Sequence, residues 1–334
     1  MPATPRSGAV ERTRRLMENL KSLPEPRTHS GEVRKVGIEV ELGGLDEDRV
    51  AAILSDRLGG KTVRTAAYER RIEDSSIGDI EILLDTALRD RVQGQVARMG
   101  LDLGRAVIPV EFVTKPIPPE QIADVDRACR VLAEAGGVGT KSGLLLGFGV
   151  HLNVALPGVQ VDDILPVLTA FALIEDWMRD RMKLDAARRV QPFVDTYPSE
   201  LVDRLCDPQI EWSIQRLLTT YLDVAPDRNH ALDLLPLLKQ IDADAVVKAV
   251  PQMSHKSARP AWHYRLPDCR IDDPSWSVGL EWNRWCIVEE IAHNDDLMTR
   301  LRSKWSEYRA RTLPIPGRWG AVSGDVLNKE VTFP

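Results

Sequence analysis

Residues 37–42 read Gly37-Ile38-Glu39-Val40-Glu41-Leu42. Apolar and acidic residues alternate with the two-residue period of a β-strand. Ile38, Val40 and Leu42 therefore share one face, and Glu39 and Glu41 share the other. Two like charges side by side repel, and burying both without partners is costly. Either the pair faces water, the common situation for Glu-x-Glu on a sheet, or something positive stands between the two acids.

Three other segments break an apolar strand pattern in the same way. Glu111 in "VEFVTK", His151 and Asn153 in "GVHLNV", and His263 and Arg265 in "WHYRLPD" place polar groups at alternate positions among apolar neighbours. Each has an ordinary structural explanation when taken alone. Glu111 can pair with Lys115, a strand histidine can be a satisfied core residue, and Arg70-Arg71 and Arg188-Arg189 read as solvated ends. Taken together, the four strands can satisfy their polar groups only if those faces converge on one site. Carboxylates with an imidazole suit Mg²⁺ or Mn²⁺ better than zinc. A cation between Glu39 and Glu41 turns their repulsion into coordination.

The surrounding pattern predicts strands over 33–43, 61–73, 78–85, 106–117 and 143–154. Helices are expected over 46–58 and 119–136, each stopped by a Gly-Gly pair. From 161 to 310 helices dominate: 161–186, one or two within 199–222, more within 229–250, and a final one over 279–310. A returning strand over 261–269 interrupts them. Strands gathered early and helices gathered late indicate an α+β fold rather than repeated βαβ units. Residues 1–30 are polar and rich in Arg, Pro and Ser, and read as a loosely ordered extension with a short helix at 9–22. Residues 31–312 form the expected catalytic domain and 313–334 a tail.

Composition narrows the function classes. The net charge of −6 argues against general nucleic-acid affinity. No apolar run reaches the ~18 residues of a membrane span, and the first residues lack a secretory core. Four cysteines without a Cys-x-x-Cys pair read as buried thiols in a reducing, cytoplasmic setting. There is no Walker or Rossmann glycine loop.

"GIEVEL", "PVEFVTKPIP", "GFGVHLN", "APDRNHALDLLPLL" and "RPAWHYRLPDCRIDDPSWS" follow one another in this order between about residues 33 and 300. In this ordered set the chain resembles the amidoligase family, a branch of the carboxylate–amine ligases with a glutamine-synthetase-like catalytic fold. The resemblance implies a curved antiparallel sheet flanked by helices, holding ATP and divalent metal. The implied activity joins a carboxylate to an amine or ammonia. Glu39 and Glu41 resemble the metal-holding Glu-x-Glu pair, and Glu111 a later metal glutamate. His263 stands where glutamine synthetase carries a metal-binding Glu, and Gly149 where it carries a first His. His151, Asn153, Arg228 and Asn229 are the implied nucleotide contacts, with Arg265, Arg228 and His151 in catalytic roles. Asp268 and Glu73 are both candidates for the general base, and the sequence does not choose between them. Family association adds a glutamine amidotransferase as ammonia source. The competing readings are a phosphotransferase of the guanidino-kinase type, a binding or scaffold protein that kept the fold, and a metal hydrolase, which lacks its His-rich zinc pattern.

Overall fold

The alternation in 37–42 becomes β1 (Val36–Leu42), an interior strand of a seven-stranded sheet. The computed structural model describes residues 20–84, 109–140, 147–184, 194–310 and 319–334. The other strands are β2 (Lys61–Ala66), β3 (Glu69–Ser75), β4 (Gly78–Leu84), β5 (Val110–Thr114), β6 (Val150–Ala155) and β7 (Ala261–Tyr264). Their order is β2-β3-β4-β5-β1-β6-β7, and every neighbouring pair is antiparallel. Most of the expected helix at 9–22, the starts of the expected strands at 106 and 143, and Arg188 and Arg189 lie outside the described residues.

Register fixes the two faces. Val36, Ile38, Val40 and Leu42 are wholly buried, as are Ile80 and Ile82 of β4, Leu152 and Val154 of β6, and Tyr264 of β7. They join one continuous core with the helices. On the opposite face Glu41 stands across from Glu111, Glu39 from His151, Gly37 from Asn153, and Asn153 from His263. One alternation thus sends aliphatic side chains to the helices and ionisable ones to a shared face.

Ten α-helices are found among the described residues: α1 (Glu47–Leu58), α2 (Ile122–Glu134), α3 (Val161–Met182), α4 (Ser199–Cys206), α5 (Ile214–Val224), α6 (Leu235–Ile241), α7 (Ala243–Ala249), α8 (Val278–Ala292), α9 (Asp295–Arg309) and α10 (Trp319–Leu327). Of these, α3 and α8 cover the apolar side of β7. Trp285 of α8 meets Trp262 at 5.9 Å and Tyr264 at 5.3 Å between ring centroids, and Phe171 of α3 meets Tyr264 at 6.0 Å. Both oxygens of buried Asp126 on α2 accept backbone N–H groups at the start of α8, from Val278 at 2.6 Å and Gly279 at 3.2 Å. That places a carboxylate at the positive end of α8. No helix among the described residues is long and apolar enough to cross a membrane.

Two elements differ from the sequence expectation. The stretch 61–73 is not one strand: the chain reverses at Ala67-Tyr68 to form the β2–β3 hairpin. The turn lacks Gly or Pro, so composition did not mark it. Instead, the Arg64 guanidinium donates to the carbonyls of Ala66 and Ala67 at the turn, both at 3.2 Å. The expected helix 279–310 is two, α8 and α9. Asn294 ends the first and caps the second, accepting the Leu297 N–H at 3.0 Å, with Asp295 and Asp296 in the new first turn.

Gly44, just beyond β1, has a φ of +82°. A Cβ there would lie 2.4 Å from the Gly136 carbonyl oxygen. Gly44→Ala therefore meets both a left-handed backbone and a backbone clash. The expected loss is about 1–3 kcal/mol of stability, read as a lowered midpoint in thermal circular dichroism. An unchanged midpoint would contradict the close approach.

Candidate metal and nucleotide site

β1 carries Glu39 and Glu41, β5 carries Glu111, β6 carries His151 and Asn153, and β7 carries His263. Two overlapping sets of donor atoms result. Glu39, His151 and His263 form one; Glu41, Glu111 and His151 form the other. Within each set the ligand atoms all lie within 4.8 Å of one another. His151 belongs to both.

Glu39 is heavily engaged. Its Oε2 lies 3.0 Å from His151 Nδ1, and its Oε1 accepts from Asn153 Nδ2 at 2.7 Å and from an Arg259 guanidinium N–H at 3.4 Å. Burial pushes the Glu39 carboxyl up. The hydrogen bond and charge of His151, joined by His263 and Arg259, outweigh that and hold it well below the usual carboxylate range. Glu41 is engaged differently. The Gly149 backbone N–H donates to its Oε2 at 2.6 Å, while its Oε1 stands 3.8 Å from His151 Nε2. That separation is too long for a hydrogen bond.

His263 leans on Asp233, which the sequence reading did not single out. Its Nδ1 lies 3.2 Å from Asp233 Oδ2, and the Asp233 side chain is fully buried. The other Asp233 oxygen accepts the Leu235 N–H at 3.0 Å. Burial pushes His263 down to about 4 despite the opposing pull of Asp233 and Glu39. The ring is neutral at pH 7 and offers a lone pair. The His151 and His263 rings meet edge to face at 5.5 Å. His263 Nε2 and Asn153 Oδ1 are buried without a hydrogen-bond partner. Buried acceptors of this kind can take a hydrogen-bond donor or a cation.

Cations rim this cluster. Arg259 reaches Glu39. Arg228 Nε lies 3.7 Å from Asp233 Oδ2. The Arg265 guanidinium donates to the Arg228 backbone carbonyl, so it braces the segment that carries Arg228 and Asp233. Asn229 lies on the same segment, its N–H held by Asp227 at 2.9 Å and its carbonyl accepting the Asp195 N–H at 2.7 Å. Of the two acids considered as a base, Asp268 lies next to Gly149 in a bridge and pairs with Arg270 at 3.2 Å. Glu73 stands opposite Lys61 on β3, three strands from β1.

The structure thus groups Glu39, Glu41, Glu111, His151, Asn153 and His263 on one sheet face, with Arg228, Asn229 and Arg265 on adjoining segments. Asp233 and Arg259 are additions. Asp233 had a legible signal, as an acid inside the apolar run "ALDLLPLL". Arg259 had none, because it sits in a polar, Pro-flanked loop. Oxygen-rich donors with one or two imidazoles fit a divalent cation.

A family model described as "Putative amidoligase enzyme" matches residues 32–287. Comparison with curated proteins and with solved structures gives no match.

Proposed function

Because this chain belongs to the amidoligase family, we propose that it is an ATP- and Mg²⁺-dependent (or Mn²⁺-dependent) ligase that joins a carboxylate to an amine or ammonia. The observation that carries this reading is the convergence of three glutamates and two histidines from four strands on one face, rimmed by Arg228, Arg259 and Arg265. A glutamine-synthetase-like arrangement of the sheet is part of the proposal. An antiparallel sheet with one ionisable face and helices on the other supports it.

A carboxylate does not react with an amine unaided, because its oxygen is a poor leaving group. In the proposed sequence a carboxylate oxygen attacks the γ-phosphorus of ATP, the bond to the β-phosphate oxygen breaks, and ADP leaves. The amine nitrogen then attacks the acyl carbon, the carbon–oxygen bond to the phosphoryl group breaks, and phosphate leaves as the nitrogen loses a proton. The work of the protein is positioning and charge stabilisation. A divalent cation held by carboxylates of this face, Glu41 and Glu111 among them, would neutralise phosphate charge. Arg228 and Arg265 present planar guanidinium groups suited to a phosphoryl group or a substrate carboxylate. Asn153 and Asn229 offer hydrogen bonds to nucleotide or substrate, and His151 sits among the cation donors.

The nitrogen donor is a free amine or ammonia; its supply by a glutamine amidotransferase is an expectation of family association alone. A cytoplasmic location agrees with four cysteines that are all free and buried.

Product analysis tests the reading. The chain is incubated with ATP, Mg²⁺ and a panel of carboxylates and amines. A new amide formed with stoichiometric ADP and phosphate is the expected result. A phosphorylated product that accumulates without amide would instead identify a phosphotransferase. No nucleotide binding in calorimetry would point to a scaffold.

A further inference from the structure

The two donor sets share His151, and a neutral imidazole has one lone-pair nitrogen. His151 can therefore serve one cation at a time. The hydrogen bonds say which. A carboxylate oxygen accepts hydrogen bonds, so the 3.0 Å contact to Glu39 Oε2 points to the proton on His151 Nδ1. The lone pair then lies on Nε2, the nitrogen 3.8 Å from Glu41 Oε1. A lone pair and a carboxylate oxygen do not attract each other. Yet two donors on one ion, with bonds of about 2.1 Å, sit roughly 3–4 Å apart.

Glu39 is poorly placed to be a ligand. Its two oxygens already take N–H groups from His151, Asn153 and Arg259. Glu41 keeps Oε1 directed to the His151 side, because its other oxygen is held by the Gly149 N–H.

We propose that the chain by itself binds one divalent cation, on Glu41, Glu111 and His151 Nε2, and that Glu39 is a positioning residue that fixes the His151 tautomer and orientation. Asn153 and Arg259 hold Glu39 in that task. A carboxylate that accepts the far N–H of a ligating imidazole orients the ring and raises its basicity. The second set, Glu39 with His151 and His263, would take an ion only by breaking the His151–Glu39 hydrogen bond. This rests on the metal site proposed above, but not on the reaction assigned to it.

The test uses Mn²⁺ and the whole 334-residue chain without nucleotide. Calorimetry counts the ions, and pulsed electron paramagnetic resonance counts the imidazole nitrogens bound to Mn²⁺. One ion with one nitrogen coupling is expected. The coupling should disappear in His151→Gln and persist in His263→Gln. Glu41→Gln should weaken binding by more than about 100-fold, whereas Glu39→Gln should stay within the roughly 10–100-fold range of an orienting residue. Two ions, two nitrogen couplings or no bound ion would overturn the assignment. The count in the unsubstituted chain decides without any variant having to fold. Failure of amide formation would leave the count untouched, so the two ideas fail separately.

Discussion

Replacing Glu41 with Gln is expected to abolish cation-dependent ATP turnover, with a loss of at least about a thousandfold, while the fold is kept. The amide keeps an oxygen that can accept the Gly149 N–H, so the β1–β6 backbone contact survives. What is lost is a negative charge beside Glu111 and His151, within a donor set whose atoms lie within 4.8 Å of each other. A cation contributes several kcal/mol to stabilising charge on a transferring phosphoryl group, and each 1.36 kcal/mol is a factor of ten in rate. Phosphate release measured over a Mg²⁺ series reads the effect, with circular dichroism as the fold control. Turnover within tenfold of the parent chain would remove Glu41 from the site.

The largest expected effect on stability lies on the other side of the sheet. Arg34, just before β1, is fully buried against Glu289 of α8; both side chains are 1% exposed. Two parallel hydrogen bonds of 2.7 and 2.8 Å join them. The same guanidinium donates to the carbonyls of Ala155 at 2.6 Å and Glu25 at 2.8 Å, and Trp285 Nε1 donates to Glu289 at 2.9 Å. Arg34→Met leaves Glu289 charged and buried with only an indole N–H. Removing one partner of such a pair costs about 3–5 kcal/mol. That is a large fraction of the roughly 5–15 kcal/mol that holds a domain folded. Urea unfolding followed by tryptophan fluorescence should show it as a lowered midpoint. The double variant Arg34→Met, Glu289→Met should recover much of the loss, because no charge is then stranded. A single variant as stable as the parent would show that the pair is solvated.

Much of the clustering at the candidate site was legible because burial punishes isolated polar groups. Glu39, Glu41, Glu111, His151 and His263 each interrupt an apolar alternation, and alternation fixes the face a side chain occupies. Which strands lie side by side was not legible. Pairing β1 between β5 and β6 is a long-range choice that no local pattern encodes. The hairpin at Ala67-Tyr68 was missed because ordinary residues make the turn. The break at Asn294 was readable in retrospect, since Asn followed by two aspartates is a cap and an acidic first turn. Arg259 stayed hidden because its role arises only from reaching Glu39 across 220 positions of chain.

That reach also sets an order of events. The two ends of the donor cluster, β1 and β7, flank most of the chain, and β1 binds β6 through residues 112 positions apart. Contacts so distant in sequence close late, because the loop entropy must be overcome before they reward it. During synthesis from the N-terminus, Glu39, Glu41 and Glu111 emerge first and repel one another. His151 then arrives to partner Glu39, and Arg259 and His263 follow much later in the chain. A chain cut short before residue 259 carries the acids without their full set of counter-charges. Completion of the polar cluster is therefore a late report that β1, β6 and β7 have closed on one another.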